Sequence, residues 1–139
     1  MQIVINARPE VDKKGRRFLK VTSPVDIINP AKRDGVNVKQ VEALWDTGAT
    51  HTSIPMETAV ELGLPFGDDT KTEMGVSVSA SRYCSFYLRF HDGSVMRIPC
   101  GVAVPGSRRP LVIGMDVISL GVTTIEPDGK DGVVFTFRI

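Results

Sequence analysis

The chain has 139 residues, enough for one domain with a sizeable core and few for two. Hydrophobic residues make up 42% and charged residues 24%, a globular balance that excludes a chain disordered throughout. A net charge of +1 gives no reason to expect a nucleic-acid partner, and no apolar run reaches the roughly 18 residues of a membrane span.

The N-terminal MQIVINARPEVDKKG has no basic start followed by a long apolar run, so no signal peptide is expected. QIVIN (2–6) reads as a strand and RRFLKVTS (16–23) as another that breaks at Pro24. The basic cluster between them, Lys13-Lys14-Gly15-Arg16-Arg17, reads as a solvated turn. VEALW (41–45) is a core strand, and THTSIP (50–55) is an extended segment that stops at Pro55. METAVELGL (56–64) changes period to that of a helix, with Gly63 suited to its C-terminal cap.

From Thr70 the period returns to two. Residues 70–90 read as a long hairpin with small residues near its tip, and His91-Asp92-Gly93-Ser94 as a tight turn into the strand 95–105. PGSRRP (105–110) is a loop, LVIG (111–114) a short strand, DVISL (116–120) a helical turn and VTTIE (122–126) a strand. Pro127-Asp128-Gly129 turns the chain into GVVFTFRI (132–139). The two cysteines, Cys84 and Cys100, match neither metal spacing nor a disulfide framework, so both are expected reduced in core or half-buried positions, with cytoplasmic residence. The expected fold class is all-β for the most part, with one or two short helices, in a single domain over 1–139.

The chemically informative stretch is Leu44-Trp45-Asp46-Thr47-Gly48-Ala49-Thr50. An acid follows an apolar strand, where it faces a cleft more readily than a core. Gly48 permits a tight reversal, and the Thr47 hydroxyl can donate and accept. The competing reading is an ordinary strand-end turn. Trp45 points to the opposite face of its strand from Asp46 and is expected to pack in the core. His51 either tunes or contacts the site or is a plain loop residue, and His91 is expected in solvent. Asp116 is expected as the N-cap of the following helical turn rather than as a second catalytic carboxylate.

Three features in order resemble the retropepsin-like aspartic proteases, in a non-viral branch: ALWDTGA, a hairpin rich in small residues at 70–90, and Val112-Ile113-Gly114-Met115-Asp116. The resemblance runs from Val41 to Ile125, with residues 1–40 as an N-terminal extension to a core of 41–126. It implies an acid-protease barrel and an endopeptidase cleaving a peptide or protein substrate without metal or cofactor. Asp46 would be catalytic. Thr47, Gly48 and Ala49 would support the site, and Met74, Gly75, Val76, Ser77 and Val78 would form a substrate flap or a static hairpin.

Two carboxylates sharing one proton can act as base and acid on a water and a leaving nitrogen. The chain has one Asp-Thr-Gly, so a homodimer would supply the pair as two copies of Asp46. Retroviral members carry an Asp–Arg ion pair where this chain has Thr50 and Met115. The last strand, GVVFTFRI, is either the dimer sheet or an ordinary core strand. The alternative to catalysis is a binding or dimerisation module on the same fold.

Overall fold

A computed structural model describes residues 1–31, 37–74 and 77–139. Strict alternation sets the first strand. In β1 (Gln2–Ala7) Ile3, Ile5 and Ala7 turn inward while Gln2, Val4 and Asn6 face out. β1 lies antiparallel to β12 (Val133–Arg138), and β12 to β11 (Val122–Pro127), in a three-stranded sheet ordered β1-β12-β11. The chain ends continue the pairing. Ile139 N–H donates to the Met1 carbonyl at 3.1 Å, and the Met1 amino group donates back at 3.3 Å. The final strand is therefore the centre of its sheet, with Phe135 and Phe137 buried, as a core strand requires.

A second sheet closes on itself. β4 (Thr22–Ile28), β5 (Val38–Trp45), β10 (Val112–Ile113), β6 (Ser53–Pro55), β9 (Val95–Val104) and β8 (Ser77–Phe90) pair in that order, and β4 pairs with β8 to complete the ring. β7 (Phe66–Met74) shares with β4 one edge of the long β8, so the β7–β8 hairpin projects beyond the barrel. Two short strands, β2 (Glu10–Val11) and β3 (Arg17–Phe18), form a separate ribbon. The basic cluster lies in its turn, where Asp12 accepts the N–H groups of Lys14 and Arg16 at 2.9 Å each. The mostly-β class and the barrel are as the sequence predicts.

The single strand expected over 16–23 is instead β3 and β4, and Pro24 lies inside β4 rather than ending it. The Trp45 N–H bond to the Val21 carbonyl sets the ladder phase, so position 24 turns its backbone away from β5. Pairing to β8 begins one residue later at Val25, and no ladder bond is lost to the missing N–H. Of the extended segment 50–55, only β6 is strand, because the residues before it form the loop of the candidate site.

The helix α1 (Met56–Glu61) ends where expected. Gly63 takes φ +63°, and buried Asn29 donates Nδ2 to the Leu62 and Gly63 carbonyls at 2.7 and 3.0 Å, satisfying end groups the helix leaves open. Trp45 joins barrel to sheet. Its ring packs on Phe90 of β8 and on Phe135 and Phe137 of β12, and Nε1 donates to Ser23 Oγ at 2.9 Å. Cys84 is buried, but Cys100 is exposed, a departure from the expected core or half-buried position, because Cys100 points outward from β9.

Candidate active site

Asp46 follows directly on a parallel pair of strands. β5 runs beside β10 with Leu44 opposite Val112 and Trp45 opposite Ile113. Asp46 N–H continues that ladder by donating to the Ile113 carbonyl at 2.9 Å, so the backbone of the acid is held by the core. Trp45 turns into that core, as alternation requires, and the Asp46 side chain turns the other way.

The chain then reverses around the carboxylate itself. Asp46 Oδ1 accepts the Gly48 N–H at 2.8 Å, and Ala49 N–H donates to the Asp46 carbonyl at 3.2 Å. A Cβ on Gly48 would stand 3.1 Å from Asp46 Oδ1, so the close approach favours glycine. Thr47 is exposed at the head of the loop, and its hydroxyl makes no hydrogen bond among the described residues.

The loop is strapped to the start of α2 (Met115–Ile118). Ala49 and Thr50 carbonyls accept the N–H groups of Met115 and Asp116 at 2.8 and 3.2 Å. Asp116 answers with its carboxylate: Oδ2 accepts Thr52 N–H at 3.0 Å, and Oδ1 accepts the Thr52 hydroxyl at 2.8 Å and Val117 N–H at 3.0 Å. Thr52 Oγ1 in turn accepts Gly114 N–H at 3.2 Å. The N-cap of α2 is Gly114, not Asp116, because the helix begins two residues earlier than an N-cap at 116 requires. A Cβ on Gly114 would meet the His51 backbone at 2.7 Å and the Ala49 carbonyl at 2.8 Å, so this glycine is what lets the two motifs touch. Asp116 is thus engaged in the strap and does not line the cleft.

Asp46 lies in a cleft of about 890 Å³. One wall is the β7–β8 hairpin, with Thr70, Lys71, Thr72, Glu73 and Tyr83; the other is the loop 105–110, with Arg108 and Arg109. Arg109 Nη1 stands 3.6 Å from Asp46 Oδ2, the oxygen that Gly48 leaves open, and the Asp46 side chain is one-third exposed (33%). His51 lines the same cleft. It shares a hydrogen bond with Thr50 Oγ1 at 3.1 Å and meets the Tyr83 ring edge-on at 6.5 Å. His91 is exposed in its turn.

The structure brings Asp46, Gly48 and Ala49 into one cleft wall, with Thr47 on the same loop. Of the expected flap, Met74 pairs with Ser77 at the last register of the hairpin, Val78 is exposed opposite Glu73, and Gly75 and Val76 lie outside the described residues. Sequence reasoning missed Arg109, Lys71 and Tyr83 as cleft residues. The paired arginines of PGSRRP carried a charge signal, but nothing in the chain order says which loop faces Asp46.

The family model "gag-polyprotein putative aspartyl protease" matches residues 35–119, which include both Asp46-Thr47-Gly48-Ala49 and Val112–Asp116. No curated protein matches the chain. Among solved structures, a retropepsin-like aspartic protease from Rickettsia conorii shares the fold. It is 17% identical, with a TM-score of 0.58 over 99% of this chain and 91% of that one. The family match spans well over half the sequence, and the chain belongs to the retropepsin-like, gag-polyprotein aspartyl protease family.

Proposed function

We propose that the chain is one subunit of a homodimeric aspartic endopeptidase in which two copies of Asp46 form the catalytic pair. The observation that carries this reading is the setting of Asp46. Its backbone is anchored to β10, one oxygen is held by Gly48 N–H, and the other faces an open cleft large enough for an extended peptide. A lone carboxylate of this kind is half of a hydrolytic site. Two facing carboxylates share one proton, because both cannot ionise side by side.

In that pair the ionised carboxylate takes a proton from water as the water oxygen bonds to the scissile carbonyl carbon. The protonated carboxyl gives its proton to the carbonyl oxygen. When the tetrahedral intermediate collapses, the C–N bond breaks, the carboxyl that took the water proton passes it to the departing nitrogen, and the other carboxylate takes back a hydroxyl proton as the C=O bond re-forms, so the pair again holds one proton. Thr47, exposed beside Asp46, would bond to the second copy's loop. The β7–β8 hairpin can cover an extended substrate by adding backbone hydrogen bonds to it.

The subunits have a route to each other. β12 is paired on both sides, but the far side of β11 has no strand partner among the described residues, and β11 follows α2, to which the Asp46 loop is strapped. Val122 and Ile125 of β11 are each more than half exposed. Two β11 edges pairing across a two-fold axis would join the sheets and bring the Asp46 loops to one side.

Asp46→Asn tests the reading. It keeps the size and the acceptor for Gly48 N–H but cannot share a proton, so peptide cleavage should fall to background while the fold and the dimer persist. Retained cleavage by that variant would refute the assignment. A second reading, a binding module without catalysis, is favoured by the Arg109 contact, which occupies the open oxygen of Asp46. A strictly monomeric chain that binds peptides and leaves them intact would establish it.

A further inference from the structure

The whole chain is almost neutral at +1, but its cleft is not. Lys71, Arg108 and Arg109 line it against Glu73 and Asp46. Once Asp46 is assigned to the dyad, Glu73 is the single acid left among the described lining residues to face three cations.

Arg109 reaches furthest in, and its loop is built to present it. Gly106 takes φ +68°, Ser107 Oγ accepts the Arg109 N–H at 3.3 Å and donates to the Arg109 carbonyl at 3.4 Å, and Pro105 and Pro110 bracket the segment. Its guanidinium stands 3.6 Å from Asp46 Oδ2 and the side chain is 62% exposed, so the guanidinium can offer donors to a ligand. Two-fold symmetry sharpens the imbalance. A dimer brings two such guanidiniums to a carboxylate pair that carries one negative charge between them. The two Arg109 charges then exceed that of the Asp46 pair by one.

We propose that Arg109 selects peptide substrates that carry an acidic side chain within two residues of the scissile bond, and rejects those with lysine or arginine there. The inference rests on the endopeptidase reading above. A peptide bound with its scissile carbonyl at Asp46 advances about 3.3 Å per residue, so neighbouring side chains fall within reach of a guanidinium that touches Asp46. A carboxylate there meets a planar fork and can accept two parallel hydrogen bonds. A basic side chain adds a further cation to a site that already has one in excess.

Cleavage of a peptide library from a denatured proteome, with the cut sites located by mass spectrometry, tests the inference on the full chain. The wild type should cut beside Glu and Asp in preference to Lys and Arg. Arg109→Glu should reverse the ratio by about tenfold or more, the order expected for exchanging an attractive partly desolvated charge pair for a repulsive one. An unchanged profile in an Arg109→Glu variant that still cleaves would overturn it.

A second measurement does not depend on hydrolysis. Asp46→Asn and Asp46→Asn/Arg109→Glu are titrated with fluorescent extended decapeptides that carry either Glu or Lys at their central positions, and anisotropy is read. Tighter binding of the Glu peptide, inverted by Arg109→Glu, supports the selectivity even if no peptide is ever cut, in which case only the endopeptidase reading fails. Equal preference in the two variants, with Trp45 emission unchanged as a check of folding, overturns it.

Discussion

Thr52 and Asp116, 64 residues apart, grip each other twice: Thr52 N–H donates to Oδ2 at 3.0 Å and the Thr52 hydroxyl to Oδ1 at 2.8 Å. Thr52 is fully buried and its hydroxyl also accepts Gly114 N–H, so it closes the network that holds the Asp46 loop on α2. Thr52→Val keeps the shape but removes the acceptor of the Gly114 N–H and leaves Asp116 Oδ1 with the Val117 N–H alone. It should cost about 1–3 kcal/mol of stability. Urea unfolding followed by emission of Trp45, the one tryptophan, measures it. A change below about 0.5 kcal/mol would show that water replaces the hydroxyl.

Gly114→Ala should injure the site more than the fold. The added methyl meets backbone atoms of His51 and Ala49 at 2.7–2.8 Å, and backbone has no rotamer into which to retreat. The loop must lift from α2, at a stability cost of about 1–3 kcal/mol. Peptide cleavage should fall by at least about tenfold, because sub-ångström placement of catalytic groups controls rate. Near-normal kcat/KM in a variant with lowered Tm would show that the loop tolerates the shift.

If β11 edges meet across the two-fold axis, Ile125→Lys should weaken the dimer. Ile125 is 58% exposed on the open strand, and a lysine on a strand edge opposes edge-to-edge pairing. Sedimentation should show the dimer Kd raised by about tenfold or more, a loss of at least about 1.4 kcal/mol. Specific activity should fall with dilution at a higher concentration than in the wild type. An unaltered Kd would place the interface elsewhere.

The two thiols should differ sharply. Burial pushes the Cys84 thiol up to about 12, while Cys100 is exposed. At pH 8 roughly one Cys84 in 10,000 is thiolate, so a maleimide or disulfide reagent should label one cysteine quickly and the second only as the chain unfolds. The pH dependence has a definite sign. The unfolded thiol ionises near its ordinary value of 9.0 and the folded one near 12, so above pH 9.0 the unfolded chain holds fewer protons and Cys84 lowers stability as pH rises towards 12. Cys84→Ala should flatten that alkaline decline. Equal, rapid labelling of both thiols in the native protein would contradict the buried position.

Much of this fold is legible from period alone. The alternation of 70–90, the Asp-Gly turn at 92–93 and the helical stretch ending at Gly63 each name a local structure, because side-chain direction and backbone freedom are local properties. Pro24 misleads for the same reason. Proline removes a donor, but only the sheet decides whether that donor had a partner, and here the phase of the β4–β5 ladder turns it outward. Asp116 reads locally as an N-cap, yet its carboxylate is used by Thr52, which no local rule selects.

By itself the sequence determined that an acid in Asp-Thr-Gly follows a core strand and that a second motif lies 68 residues on, because composition and spacing are written in chain order. Only the tertiary structure decided that Gly114 lets those motifs touch, that the last strand is paired on both sides while β11 lies at the end of its sheet among the described residues, and that Arg109 stands against Asp46. These are distances between residues far apart in the chain, set by which strands pair and close the barrel, and no single segment contains that information.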